Sequence, residues 1–156
     1  MAEYYKLIQD NKFAHFDYNI LEVYTAGIEL RGTEVKSIRN KKANLKGAFA
    51  REKNGELWIY GMHVSPYEKG NIYNRDPLRL RKLLLKKSEI KKIIGKVSQK
   101  GLTLIPLKLY FKGNFAKIDL GLAKAKLKHE KKQAIKEKDI EREARRELAA
   151  EKKPGK

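Results

Sequence analysis

Ile105–Leu120, IPLKLYFKGNFAKIDL, is the stretch that decides the fold. Ile105, Leu107, Leu109 and Phe111 alternate with polar or exposed positions, Lys112-Gly113-Asn114 turns the chain, and Ala116, Ile118 and Leu120 alternate again. A period of two on both sides of a short turn predicts a β-hairpin. Working outward, Leu57–Val64 and Phe49–Glu52 flank Lys53-Asn54-Gly55, a second hairpin signal. Tyr18–Leu30 (YNILEVYTAGIEL) reads as strand, Ala-Gly kink, strand. Gly32-Thr33 then opens a short helix, with Thr33 as N-cap and Val35 and Ile38 facing inward. Ser88 is the expected N-cap of a second helix. Its apolar residues Ile90, Ile93, Ile94 and Val97 share one face, and Gly101 ends it. The expectation is a mainly β chain: about six antiparallel strands closed into a small barrel, with two or three short helices.

Composition narrows the function. The chain has 156 residues with 37 Lys and Arg against 19 Asp and Glu, a formal charge of +18. Such a charge repels itself in a compact state and attracts polyanions. No apolar run is long enough to span a bilayer. The start, MAEYYKLIQDNK, has no apolar h-region, so no secretory signal is expected. Cysteine is absent, which excludes disulfides and thiolate metal sites and fits a reducing cytoplasm. His15, His63 and His129 are scattered without metal-ligand spacing, so neither metal nor cofactor is expected. No GxSxG, Walker, HExxH or GxGxxG string occurs, and the body has no paired-carboxylate segment, so no catalytic set is expected.

Two zones follow. Residues 1–120 carry 24 basic and 12 acidic side chains and all the aromatics; residues 121–156 carry 13 basic and 7 acidic ones and no aromatic. The first is read as the RNA-binding body, the second as a basic tail. By propensity the tail favours helix, but it has little to bury. Two readings stay open for it: a helix ordered by a partner, or a solvated, frayed terminus.

A dense cationic segment is Arg75–Lys87, RDPLRLRKLLLKK, with six basic residues anchored by Leu83-Leu84-Leu85. Arg79, Arg81 and Lys82 repel one another unless an anion relieves them, which suits a surface meeting phosphates. Tyr18, Tyr24 and Tyr60, if exposed, would add stacking for RNA bases, although strand-face packing is the commoner use of such residues.

Several strings in order resemble the SsrA-binding protein family, also called small protein B. They are Asn11-Lys12, Tyr18, Ala26-Gly27-Ile28, Gly32-Thr33-Glu34-Val35-Lys36-Ser37 with Arg39, and Ala43-Asn44-Leu45. Asp76-Pro77-x-Arg79-x-Arg81-Lys82-Leu83-Leu84-Leu85, Glu89-Ile90 and Ala123-Lys124-x-Lys126-x-x-His129-Glu130-Lys131-Lys132 complete them. The resemblance implies an oligonucleotide-binding-type barrel that binds the tRNA-like domain of transfer-messenger RNA (tmRNA, or SsrA RNA). It implies delivery to stalled ribosomes for trans-translation, with elongation factor Tu on the alanyl-tmRNA as an indirect partner, and no membrane partner. By position it implies an RNA face of Asn11, Lys12, Tyr18, Glu34, Lys36, Arg39, Asn44, Arg79, Arg81, Lys82, Leu84, Lys86, Lys124 and Lys126. Glu34 has a second reading, as an anchor of its own helix N-terminus. In the tail, His129, Glu130, Lys131 and Lys132 would serve the small-subunit decoding centre and mRNA channel, the tail being disordered when free and helical on the ribosome. Thr25, Lys86, Ala125, Glu130 and Lys132 depart from the family's usual residues. The alternative is a general RNA-binding barrel of the translation machinery.

Overall fold

A computed structural model of the chain describes residues 5–67, 76–127, 140 and 142–145. It divides into two compact units, Met1–Ala125 and Lys126–Lys156. In the first unit β1 is Tyr5–Asp10, α1 Lys12–Asp17, β2 Tyr18–Ile28, α2 Gly32–Arg39, β3 Ala43–Asn44 and β4 Phe49–Lys53. There follow β5 Glu56–Tyr60, β6 His63–Val64, β7 Arg81–Leu84, α3 Lys87–Lys100, β8 Thr103–Lys112 and β9 Phe115–Ala125. The body's last strand thus runs to Ala125, past the expected limit at Leu120. In the second unit Ile140 and residues 142–145 are helical and exposed.

The strands run β1-β8-β4-β5-β7-β2-β9, and β9 pairs back onto β8. Six of them therefore close a ring, all pairings are antiparallel, and β1 is appended to the second half of β8. The expected closed antiparallel sheet is present. β3 and β6 form a separate two-stranded ribbon. Leu57, Ile59, Leu83, Leu109, Ile118 and Leu120 fill the ring at 1% exposure or less. Ile38 of α2 and Ile90 and Ile93 of α3 close the same core. Fully burying a side chain of this size contributes roughly 1.5–3 kcal/mol.

The β8–β9 hairpin departs from its expected pattern in one informative way. The register shifts between Pro106 and Lys108. A bulge adds one residue and flips side-chain parity. Leu109 and Phe111 therefore face the main core, whereas Ile105 and Leu107 face a second, smaller cluster with Ala14 and Ala123. Proline, lacking an N–H, is tolerated at such a break. A matching shift between Ile20 and Glu22 in β2 puts Ile20 on the small cluster and Ala26 and Ile28 in the main core. The helix α1, absent from the expectation, covers that second cluster through Ala14.

Other expectations resolve locally. β2 is continuous through Ala26-Gly27, with no kink. Gly27 is there for space: a Cβ on it would lie 3.2 Å from the Leu84 Cβ of its paired strand. The β4–β5 hairpin turns at Asn54 and Gly55, both at positive φ (54° and 79°), the geometry of a type I′ turn. The expected caps move outward. α2 begins at Gly32 with Arg31 as N-cap, and α3 begins at Lys87 with Lys86 as N-cap; Gly101 ends it in the left-handed conformation. Leu57–Val64 is split into β5 and β6 at Gly61, whose φ is +75° and whose Cβ would lie 3.3 Å from the Gly47 carbonyl oxygen. Gly61→Ala should lower stability by about 1–2 kcal/mol, the usual cost of left-handed backbone for an L-residue. Urea unfolding at constant m-value measures it.

Candidate nucleic-acid interface

The cation-dense segment divides into buried and exposed members. Arg81 is wholly buried at 0% exposure, because its position in β7 points it into the protein opposite Ile59. Its Nε donates to Glu34 Oε2 at 2.6 Å, Nη1 donates to the carbonyls of Met62 (2.9 Å) and Arg79 (3.1 Å), and Nη2 donates to the Pro77 carbonyl (3.2 Å). Arg79 Nη2 donates to Glu34 Oε1 at 2.5 Å. The anion that relieves the clustered arginines is thus a carboxylate of the protein itself. The expectation of a phosphate contact at Arg81 is corrected: its guanidinium is buried and bonded within the protein. Glu34, 4% exposed, is likewise no surface contact. Its Oε1 accepts the Arg31 backbone N–H at 2.8 Å, which is its second reading, the anchor of its own helix.

Burial pushes the Glu34 carboxyl up. The Arg79 hydrogen bond, the Arg31 N–H and the Arg81 charge outweigh burial and hold it below its ordinary 4.5. Burial pushes Arg81 down, and the charge and hydrogen bond of Glu34 oppose that. A guanidinium stays protonated regardless.

Asn11 is a second correction. It is 5% exposed, its side-chain amide donates to the Pro106 carbonyl at 2.9 Å, and its N–H donates to the Leu107 carbonyl at 2.7 Å. It ties α1 to the bulge of β8. The tyrosines are not exposed either. Tyr18, Tyr24 and Tyr60 are half-buried; Tyr60 stacks on Phe49 at 5.3 Å, and Tyr24 donates to Glu22.

What remains at the surface falls on two faces. On one, β1, the end of α2 and the loop after β3 are tied together. Lys6 Nζ donates to the Arg39 carbonyl at 2.7 Å, and Gln9 Oε1 accepts the Leu45 N–H at 2.7 Å. Asn44 Oδ1 accepts the Lys46 N–H at 2.9 Å. Exposed Lys36 and Arg39 lie in α2, Asn44 in β3 and Lys46 just after it, and exposed Lys12 opens α1, directly after β1 and Asn11. Lys36 lies 5.4 Å from the Tyr67 ring centre and Arg39 5.4 Å from that of Phe111, so aromatic faces steady both cations. On the other face, Lys86, Lys87, Lys117 and Thr25 line a cleft of about 470 Å³ at the end of β7. Leu84 is 48% exposed beside it, and Phe115 is 71% exposed next to Leu84 across a smaller groove. Lys82 is half-buried with its Nζ 3.8 Å from Glu56, a surface pair worth little. Lys124 is exposed at the end of β9, and Lys126, half-buried, opens the second unit. His129, Glu130, Lys131 and Lys132 lie outside the described residues.

Lys6, Lys46 and Phe13 were not expected on a basic face. An aromatic directly after Lys12 and a lysine directly after Asn44-Leu45 were the available signals. Among the described residues no cluster of three His, Asp or Glu could hold a metal ion, and no helix is long and apolar enough to cross a membrane.

A ring of six strands carrying cations on two faces has many uses; comparison with known proteins decides among them. A family model described as SmpB protein matches residues 8–150. The chain belongs to the SmpB family. An SsrA-binding protein of Carboxydothermus hydrogenoformans is 57% identical over 145 residues, covering 93% of this chain and 97% of the relative. One from Geobacillus kaustophilus is 54% identical over 141 residues, 90% of this chain and 91% of the relative. A solved structure, "tmRNA-SmpB: a journey to the center of the bacterial ribosome", matches with a TM-score of 0.67 at 49% identity, covering 83% of this chain and 94% of that one.

Removing the anion tests the buried arrangement. Glu34→Gln should cost roughly 3–5 kcal/mol, because it leaves Arg81 buried without its counter-charge. The carboxyl is depressed in the folded state, so its contribution is complete above pH 4.5 and lost as pH falls through the lower folded value. The stability gap between wild type and variant should therefore narrow as urea melts are taken to lower pH below 4.5. A gap independent of pH would show that the charge of Glu34 contributes nothing.

Proposed function

We propose that this chain binds the tRNA-like domain of tmRNA, the SsrA RNA, and carries it to stalled ribosomes for trans-translation. One observation carries the reading: membership of the SmpB family over residues 8–150, in a chain of net charge +18. Lys12, Lys36, Arg39 and Asn44 on one face, and Leu84 and Lys86 on the other, are its contacts, with Lys124 and Lys126 continuing toward the tail. Phosphates are met by Lys and Arg, and the exposed Leu84 meets unstacked bases or sugars. Glu34, Arg81 and Asn11 act indirectly, by holding these segments in place.

In the tail, His129, Glu130, Lys131 and Lys132 engage the decoding centre and the empty mRNA channel of the small subunit, where the segment becomes helical. Elongation factor Tu joins through the alanyl-tmRNA and not through this chain. The work is binding without covalent chemistry, and a ribosome partner supports the cytoplasm as its place of work.

The test is a gel-shift competition at near-physiological salt, with the labelled tRNA-like half of tmRNA and bulk tRNA in large excess. The complex should survive. Ready displacement would reduce the chain to a general RNA binder. Lys36→Ala and Arg39→Ala should each weaken binding and make its salt dependence shallower by about one counterion. Arg81→Ala should lower folding stability and, wherever the protein is folded, leave that slope unchanged. His129→Ala with Glu130→Ala should keep near-normal RNA affinity and lose tagging in a reconstituted translation reaction. Equal damage to both would put the tail in the RNA site.

A further inference from the structure

Phe13, in the first turn of α1, is 57% exposed, and Lys46 Nζ stands 5.0 Å from its ring centre. Neither residue belongs to the contacts assigned above. Both are held firmly. Ala14, next to Phe13, is 3% exposed in the small apolar cluster, and the Lys46 backbone N–H is fixed on Asn44. Phe13 also forms one wall of a cleft of about 310 Å³, at the lower end of the roughly 300–1,000 Å³ of small-ligand sites. Tyr18 and Phe49 line it too, so three aromatic rings border one space.

The geometry points to an unpaired nucleobase, stacked on Phe13 at the mouth of this cleft, as the ligand. The inference rests on the RNA-binding reading. The aromatic walls supply the stacking surface that single-stranded RNA uses whatever its sequence. Lys46, beside the Phe13 ring, supplies charge for a flanking phosphate, and the exposed Lys12 directly precedes Phe13 in the chain. Asp17 and Thr103 also line the cleft. A carboxylate in the lining disfavours phosphate there, so the base and not the backbone enters. A simple anion site would lack both the rings and the carboxylate.

The probe is a short single-stranded RNA containing one 2-aminopurine, whose emission falls on stacking, run beside the folded tRNA-like RNA. Wild type should bind the oligonucleotide and quench it. Phe13→Ala should weaken oligonucleotide binding about tenfold and abolish the quench, with the salt slope unchanged. Phe13→Tyr should restore both, which a merely structural role for the exposed ring would not predict. Lys46→Ala should keep the quench and make the slope shallower by about one counterion. If Phe13→Ala quenches and binds as wild type does, the stacking site is overturned while the binding of folded RNA stands. If wild type binds the folded RNA and never quenches the oligonucleotide, the stacking site is again overturned. If wild type binds neither RNA, the RNA-binding reading itself falls and takes this inference with it.

Discussion

One carboxylate holds the structure's most costly region together. Glu34 accepts from Arg31, Arg79 and Arg81 at once, and Arg81 spends its other donors on three backbone carbonyls. Taking a guanidinium to 0% exposure is unfavourable by several kcal/mol unless charge and hydrogen bonds return it. Here the return joins elements far apart in sequence: the start of α2, Met62 between Gly61 and β6, and the strand β7. Since β7 pairs with β5 on one side and β2 on the other, the clamp bears on the closure of the ring itself.

The same clamp sorts the cations. Along β7, Arg81–Leu84, the side chains alternate between uses because a strand has a period of two. Arg81 and Leu83 go inward, Leu84 and Lys86 remain exposed, and Lys82 lies half-buried beside Glu56. A chain of +18 would destabilise itself if all these charges were packed side by side. Glu34 bonds to two of these cations and Glu56 stands near a third, so fewer charges are offered to a polyanion than the segment contains. Charge density in sequence therefore overstates charge density on the surface.

Much of the fold was legible because it is local. Alternation in Leu109–Leu120, the Asn54-Gly55 turn and the Ile90/Ile93 face with its Gly101 stop are each written within about a dozen residues. What escaped was set by partners remote in sequence. β1 reads weakly alone and exists through pairing with β8. α1 exists because a bulge a hundred residues away exposes Ile105 and Leu107 for it to cover. Which side chains of the candidate site reach the surface was legible in part for the same reason. Lys36, Arg39, Leu84 and Lys86 are exposed as their strings suggested, but nothing local tells Arg81 from Lys82. Only the position of Glu34, 47 residues earlier, decides which of the two is buried.

The paired bulges show how a small closed sheet gains a second apolar side. A ring with strict alternation offers one apolar interior and a wholly polar exterior. Slipping β8 at Pro106 and β2 near Leu21 turns one end of each strand inside out, and an apolar cluster then forms on the outside. That cluster must be covered, and α1 covers it with Ala14 while leaving Phe13 in solvent. Asn11 fixes the geometry by bonding to the bulge's own Pro106 carbonyl. An aromatic ring beside lysines is thereby presented on a rigid mount and not on a loose terminus. Relieving either bulge would restore alternation and return Ile105 and Leu107 to the opposite face. The anchor of α1 would go with them, so the backbone irregularity, more than any single side chain, creates this face.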